Sequence, residues 1–117
     1  MMNTQTYPSS DRRSRTNLRP AKSEVRVVCQ RGELFLGPNL AESLVGASEE
    51  AIGILVRGAL RVGERVSLSL DGIAPRVQVQ RLGRVEWCDS AADGLFRADV
   101  ELDAPLGYAE LMSLSTN

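Results

Sequence analysis

From Ser23 to Leu102 the chain repeats one pattern, in which apolar side chains occupy every second position of short segments that end at turn signals. The clearest segment is Phe96–Leu102, where apolar residues alternate with Arg97, Asp99 and Glu101. Alternation with a period of two is typical of a strand that is buried on one face. Several such strands at close spacing predict an all-β domain, a small antiparallel barrel or sandwich.

The same pattern sets the expected elements. One turn signal is Asp71-Gly72. Gly83 predicts a bulge or bend within its strand. Trp87 is expected in the core, and Ser67 is expected on the outward face of its strand. A helix follows Pro105, over Tyr108–Leu114. The predicted strands are Glu24–Cys29, a partial strand at Leu34–Leu36, Leu40–Ala47 (a strand in preference to a helix), Ile52–Val56, Glu64–Leu70, Arg76–Trp87 and Phe96–Leu102.

The first 22 residues differ from the rest in composition. They are polar, rich in serine and arginine, and contain Pro8 and Pro20, which predicts a flexible basic arm before a domain at residues 23–117. Residues 1–31 carry seven basic and two acidic side chains, and the other 86 residues carry seven and thirteen. This asymmetry favours an anionic partner for the arm.

Several classes of function are disfavoured by the composition. Histidine, the commonest general base near neutral pH, is missing from the sequence. Cys29 and Cys88 lie in predicted strands, where free cysteine is commonly a small buried hydrophobe, and two cysteines do not make a zinc site. The adjacent Glu49 and Glu50 would point to opposite faces of a strand. We therefore expect no enzyme activity, and we expect a cytoplasmic protein, since no signal peptide is found.

The arm contains two arginines at a suggestive spacing, Arg15 and Arg19. Two guanidinium groups on a flexible segment suit a ligand that carries phosphates and guanine-like acceptors, because the planar fork bonds such groups bidentately. About thirty residues further on, Gly46–Ala51 joins two predicted strands.

The chain closely resembles the PilZ domain family over roughly residues 12–112. The resemblance lies in the order of six segments: Arg15–Arg19, Gly46–Ala51, Ile52–Val56, Gly63–Leu68, Gly83–Trp87 and Phe96–Leu102. In addition, Leu36–Ala41 and Tyr108–Leu111 are similar to a planctomycete-type subgroup of the family. The resemblance implies a six-stranded antiparallel β-barrel with a short C-terminal helix. It also implies a signalling module that binds the bacterial second messenger cyclic di-GMP, with no other cofactor.

Carried over residue by residue, the resemblance gives Arg15 and Arg19 to the phosphates and guanine edges, with Arg12 or Arg13 assisting. The family's second motif is Asp/Asn-x-Ser-x-x-Gly, of which Ser48 keeps the serine. Gly46 replaces the acid or amide, and Ala51 replaces the glycine. Losing one base-edge contact weakens binding by about 1–3 kcal/mol. If position 51 required a left-handed backbone, alanine would add about 1–2 kcal/mol of strain.

Two other functions stay open from the residues. A PilZ-like domain that no longer binds nucleotide could serve as an adaptor for a protein partner. A small barrel that binds RNA or DNA without sequence preference would show steep salt dependence, but the acidic body and 4% aromatic content disfavour nucleic-acid polymers as partners. No segment is long and apolar enough for membrane insertion.

Overall fold

A computed structural model describes residues 18–116 and shows a curled antiparallel sheet, a half-barrel, with one short α-helix in that range. The elements are β1 (Arg19–Pro20), β2 (Arg26–Arg31), β3 (Ala41–Ala47), β4 (Ala51–Val56), β5 (Arg65–Asp71), β6 (Gln78–Ser90), β7 (Phe96–Leu102) and the helix α1 (Tyr108–Leu114). The strands pair in the order β1-β3-β4-β7-β6-β5-β2, all antiparallel. A 3₁₀ turn at Ala92–Gly94 joins β6 to β7.

The core fills the concave side of the curled sheet. Strand β4 shows how the alternation produces it, because Ile52, Ile54 and Val56 are fully buried and pack with Leu68 and Val100 from β5 and β7. Burying an aliphatic side chain of this size stabilises a fold by about 1.5–3 kcal/mol. The period-two pattern therefore sets which face of each strand becomes the interior.

One asparagine bridges the gap between β2 and β3, the two strands that approach each other as the sheet curls. The Oδ1 atom of Asn39 accepts hydrogen bonds from the backbone N–H groups of Cys29 and Ala41, each at 2.9 Å. Its Nδ2 atom donates to the Val27 carbonyl at 3.5 Å, and the Leu40 N–H donates to the Cys29 carbonyl at 2.8 Å. The Asn39 side chain thus supplies hydrogen bonds that a sheet ladder would otherwise provide.

Helix α1 covers one end of the half-barrel, where sequence analysis placed it. Leu114 is fully buried. Glu110 accepts hydrogen bonds from the Gly107 N–H at 2.8 Å and from Arg81 of β6 at 2.7 Å, so the first turn is fixed to the sheet. At its other end Ser115 forms a bridge with Ala21, which follows β1.

Residues 18–116 form seven strands, and not the six that the family resemblance implied. The additional strand is β1, which sequence analysis assigned to the N-terminal arm. Two residues, one of them proline, are too few to show a period-two pattern. The rest of the predicted arm, residues 1–17, lies outside the described residues.

Two local expectations were wrong, those for Leu34–Leu36 and for Gly83, and Ser67 is buried although it points outward from its strand. The stretch Leu34–Leu36 is a loop, and it covers Ser67, which is therefore buried. Ser67 donates to the Gly32 carbonyl and accepts from the Phe35 N–H, at 2.7 and 3.1 Å. The irregularity in β6 falls between Val85 and Trp87 and not at Gly83.

The described part of the chain contains no helix that is both long and apolar enough to cross a membrane.

Candidate outer-face site

The short strand β1 brings the two sequence motifs together. Arg19 pairs with Ala47 and Pro20 pairs with Gly46, so the second arginine of the Arg-x-x-x-Arg motif lies beside the end of β3. The pairing continues as the Ala21 N–H donates to the Val45 carbonyl at 3.0 Å. Segments that are thirty residues apart in the sequence thus share one edge of the sheet.

A single row of paired residues then crosses the convex face. The row consists of Pro20, Gly46, Gly53, Asp99 and Trp87, taken in order from β1, β3, β4, β7 and β6. Residues directly opposite each other in an antiparallel pair present their side chains on the same face. Ile52, Ile54, Ala98 and Val100, the chain neighbours of Gly53 and Asp99, point into the core. The row therefore lies on the outside of the half-barrel.

The two glycines in this row give the outer face a flat floor. A Cβ atom on Gly46 would lie 2.7 Å from the Arg19 carbonyl oxygen and 3.1 Å from Cβ of Leu18. On Gly53 it would lie 2.8 Å from Leu18 Cδ1 and 2.6 Å from Arg97 Nη2. Such distances are shorter than van der Waals contact, so Leu18 and Arg97 lie directly on the strand backbone. We call the surface of Gly46, Gly53, Arg97, Asp99 and Trp87 the outer-face site.

Asp99 is a buried carboxylate on this convex face, although its place in the alternating pattern predicted an exposed one. Its side chain is only 2% exposed, and its Oδ1 accepts a hydrogen bond from Nε of Arg97 at 3.0 Å and lies 3.0 Å from Nη2 of the same ion pair. Arg97 is 23% exposed. A buried carboxylate needs such a partner because desolvation of an isolated charge is expensive. Leu18 extends over the neighbouring Gly53.

Trp87 also differs from expectation, because it is half-buried and lies outside the core cluster. The extra residue between Val85 and Trp87 changes the register of β6, so Val85 points inward opposite Val100 and Trp87 stands opposite Asp99. Further along the same face Arg84 pairs with Glu101 at 2.9 Å. The site thus has an aromatic ring, a buried acid and an arginine within one row and its neighbours.

The predicted site residues have different surroundings. Arg19 is exposed, with Nη1 3.8 Å from Sδ of Met112. Gly46 lies beneath the Leu18–Arg19 segment. The Ser48 hydroxyl belongs to the β3–β4 turn, where it accepts from the Ala51 N–H at 3.2 Å and donates to the Ala51 carbonyl at 3.3 Å. Arg12, Arg13 and Arg15 lie outside the described residues.

Ala51 carries no backbone strain. It is buried in β4, and its φ is not positive, so position 51 does not require glycine. The expected penalty for alanine at this position is therefore absent. Compared with the family's second motif, the remaining difference is at Gly46, which lacks the acid or amide side chain of the motif.

No protein-family model, curated protein or solved structure matches this chain.

Proposed function

We propose that this chain is a PilZ-like signalling module that binds cyclic di-GMP on the convex side of its sheet, and binds it weakly. The observation that carries the proposal is the register of β1 on β3, which pairs Arg19 with Ala47 and Pro20 with Gly46. A two-motif site needs the arginine segment and the β3–β4 segment side by side, and this pairing supports that arrangement.

The charge of the first motif suits the ligand. Arg19 is exposed at the edge of the sheet, four residues after Arg15 in the sequence. Guanidinium forks bond phosphate oxygens and the O6 and N7 acceptors of guanine bidentately. Ser48 contributes less than the family motif implies, because its hydroxyl already closes the β3–β4 turn. Arg15 and Arg19 therefore carry most of the binding.

Binding in this site involves a competition with Leu18. The Leu18 side chain lies on Gly46 and Gly53, where a flat ring would otherwise contact the glycine floor. A ligand that occupies this floor displaces Leu18, and the energy of that displacement reduces the apparent affinity. The module then transmits its signal through the movement of Leu18 and β1.

Isothermal titration with cyclic di-GMP tests the proposal. We expect binding by the full chain, and loss of most of it in Arg15→Ala and in Arg19→Ala. Arg61→Ala is the matched control, since Arg61 is an exposed arginine in the β4–β5 loop, away from the outer-face site. No heat near millimolar ligand, with folded protein shown by circular dichroism, would reject the proposal.

The second candidate is a protein-interaction adaptor, and the loop between β2 and β3 favours it. Leu34 and Leu36 are 76% and 67% exposed. The loop is nevertheless fixed, because its backbone bonds buried Ser67 and its Glu33 pairs with Arg65 at 2.6 Å. Fixed, exposed aliphatic residues are typical of a protein-binding surface.

Titration of the wild type separates the two functions, and one double variant checks that the loop takes no part in nucleotide binding. A receptor with Leu34→Ser and Leu36→Ser should keep the cyclic di-GMP affinity of the wild type, since the loop lies away from the outer-face site. An adaptor would show no nucleotide binding in any variant.

A further inference from the structure

We propose that Asp99 of β7 supplies the acceptor that recognises guanine in this site, in place of the side chain that is missing at Gly46. The inference rests on the proposed function and adds the residue that determines base specificity.

Position is the first argument. Gly46, Gly53 and Asp99 are consecutive members of one row across β3, β4 and β7. With neighbouring strands about 4.8 Å apart, the Asp99 backbone lies roughly 10 Å from Gly46 on the same face. The residue between them is a glycine, and the side chains that lie over it are those of Leu18 and Arg97. A planar base lying on this floor would have its edge toward Asp99.

Chemistry is the second argument. The N1–H and N2–H₂ groups of guanine are donors and need an acceptor, whereas O6 and N7 are acceptors that suit an arginine fork. Asp99 and Arg97 provide one group of each kind, with a carboxylate oxygen and two guanidinium nitrogens 3.0 Å apart. Adenine has no N1–H donor and presents a lone pair there, which a carboxylate would repel. The pair therefore favours guanine over adenine.

Burial is the third argument. Charge-assisted hydrogen bonds are strongest where water is excluded, and the Asp99 side chain is only 2% exposed. The Cδ1 atom of Leu18 lies over the adjacent Gly53. Displacement of Leu18 by the base would place hydrogen-bond donors on Gly53, beside Asp99. Trp87, directly opposite Asp99, would flank the bound ring.

The test compares Asp99→Ala with Glu101→Ala in titrations with cyclic di-GMP and cyclic di-AMP, because an asparagine at position 99 would keep an acceptor oxygen. Glu101 is the matched control, because it is the next outward-facing acid of β7 and it also pairs with an arginine. We expect Asp99→Ala to lower the cyclic di-GMP affinity by about 5- to 150-fold and to reduce the preference for guanine over adenine. Glu101→Ala should change neither. Equal loss for both ligands in Asp99→Ala would indicate a structural role and overturn the inference.

A second test uses the wild type, so it does not require that the Asp99 variant folds. Cyclic di-GMP should shift the carboxyl ¹³C resonance of Asp99 and leave that of Glu101 in place. If the wild type binds cyclic di-GMP without moving the Asp99 signal, Asp99 is not the acceptor, although the proposed function stands. If the wild type binds no cyclic di-GMP, both fail.

Discussion

Cys29 shows how strongly the interior of the half-barrel constrains the chemistry of a single residue. Its side chain is fully buried in the core, and burial raises the pKa of the thiol to about 12, with Glu64 contributing further. A thiol that stays protonated at neutral pH is a poor nucleophile, since the thiolate is the reactive form. Cys29 therefore serves as a packing residue.

This difference in burial predicts different reactivities for the two thiols. At pH 8 iodoacetamide should label Cys88, which is half-buried near the end of β6, well before Cys29. Mass spectrometry of tryptic peptides gives the two rates, and protein unfolded in guanidinium is the control in which both thiols react. Comparable labelling of both in the folded protein would contradict the burial of Cys29.

At the scale of elements, β1 depends on a neighbour without a side chain. In Gly46→Ala the new Cβ would meet the Arg19 carbonyl oxygen at 2.7 Å, and that atom belongs to the backbone, so β1 has to move. We expect faster hydrogen exchange at Ala21, whose N–H bonds β3, and at Lys22, whose N–H bonds the Leu114 carbonyl.

The control for this experiment is Gly58→Ala, because a Cβ atom on Gly58 has nothing within 4 Å. Its exchange rates at Ala21 and Lys22 should equal those of the wild type. Unchanged exchange in Gly46→Ala would mean that β1 does not lie against β3 as described.

The sequence predicts an element correctly when the pattern that determines it lies within the element itself. The bounds of β7 and α1 were predicted correctly because their patterns are local. The irregularity in β6 depends on its partner, and Gly83 was mistaken for it. A Cβ atom on Gly83 would lie 2.6 Å from Val100 Cγ1 and 2.8 Å from the Glu101 carbonyl, so this glycine permits close approach of β7.

The candidate site was predictable only in part. The family resemblance predicts that Arg19 and Gly46 belong to one site, and β1 places the two segments side by side. Asp99 and Trp87 were missed because alternation assigns a residue to a face, and it does not report what covers that face. Only the register of β6, β7 and β4 brings them into one row with the glycines.

The contact between β2 and β3 depends on the Asn39 side chain, so its removal should destabilise the fold. Asn39→Ala leaves the N–H groups of Cys29 and Ala41 without their acceptor, so we expect a loss of about 1–3 kcal/mol in the free energy of unfolding. Urea denaturation measures it. Asn39→Asp keeps the acceptor for both N–H groups but turns a second oxygen toward the Val27 carbonyl, so it should recover only part of the stability that Asn39→Ala loses. Equal losses would show that the acceptor is unimportant.

For the whole molecule, ion pairs hold the loops around the beginning of β5. Arg65 pairs with Glu33 and with Asp103, and these bonds lower the pKa of Asp103 and raise that of Arg65. Arg31 pairs with Glu64 in the same region. The stability of the fold should therefore depend on pH through carboxylates whose pKa values are lowered by folding.

Glu64 provides the sharpest test of this dependence. Its Oε2 accepts from Arg31 at 2.5 Å and its Oε1 accepts from the Arg61 N–H at 3.0 Å. Burial alone would raise the pKa of Glu64, but these bonds outweigh burial and lower it below its usual value of 4.5. A lowered pKa contributes stability above pH 4.5 that is lost as the pH falls through the folded-state pKa.

We therefore expect Glu64→Gln to lower the free energy of unfolding by about 1 kcal/mol or less at pH 7, and the difference from the wild type to shrink as the pH falls from 5 to about 3. Urea denaturation across this range measures both. In the control Glu42→Gln the lost pair with Arg57 is about half exposed on each side, so its effect should be near zero at every pH. A Glu64→Gln effect that stays constant with pH would mean that its charge does not stabilise the fold, because a neutral Glu64 would then bond Arg31 and Arg61 equally well.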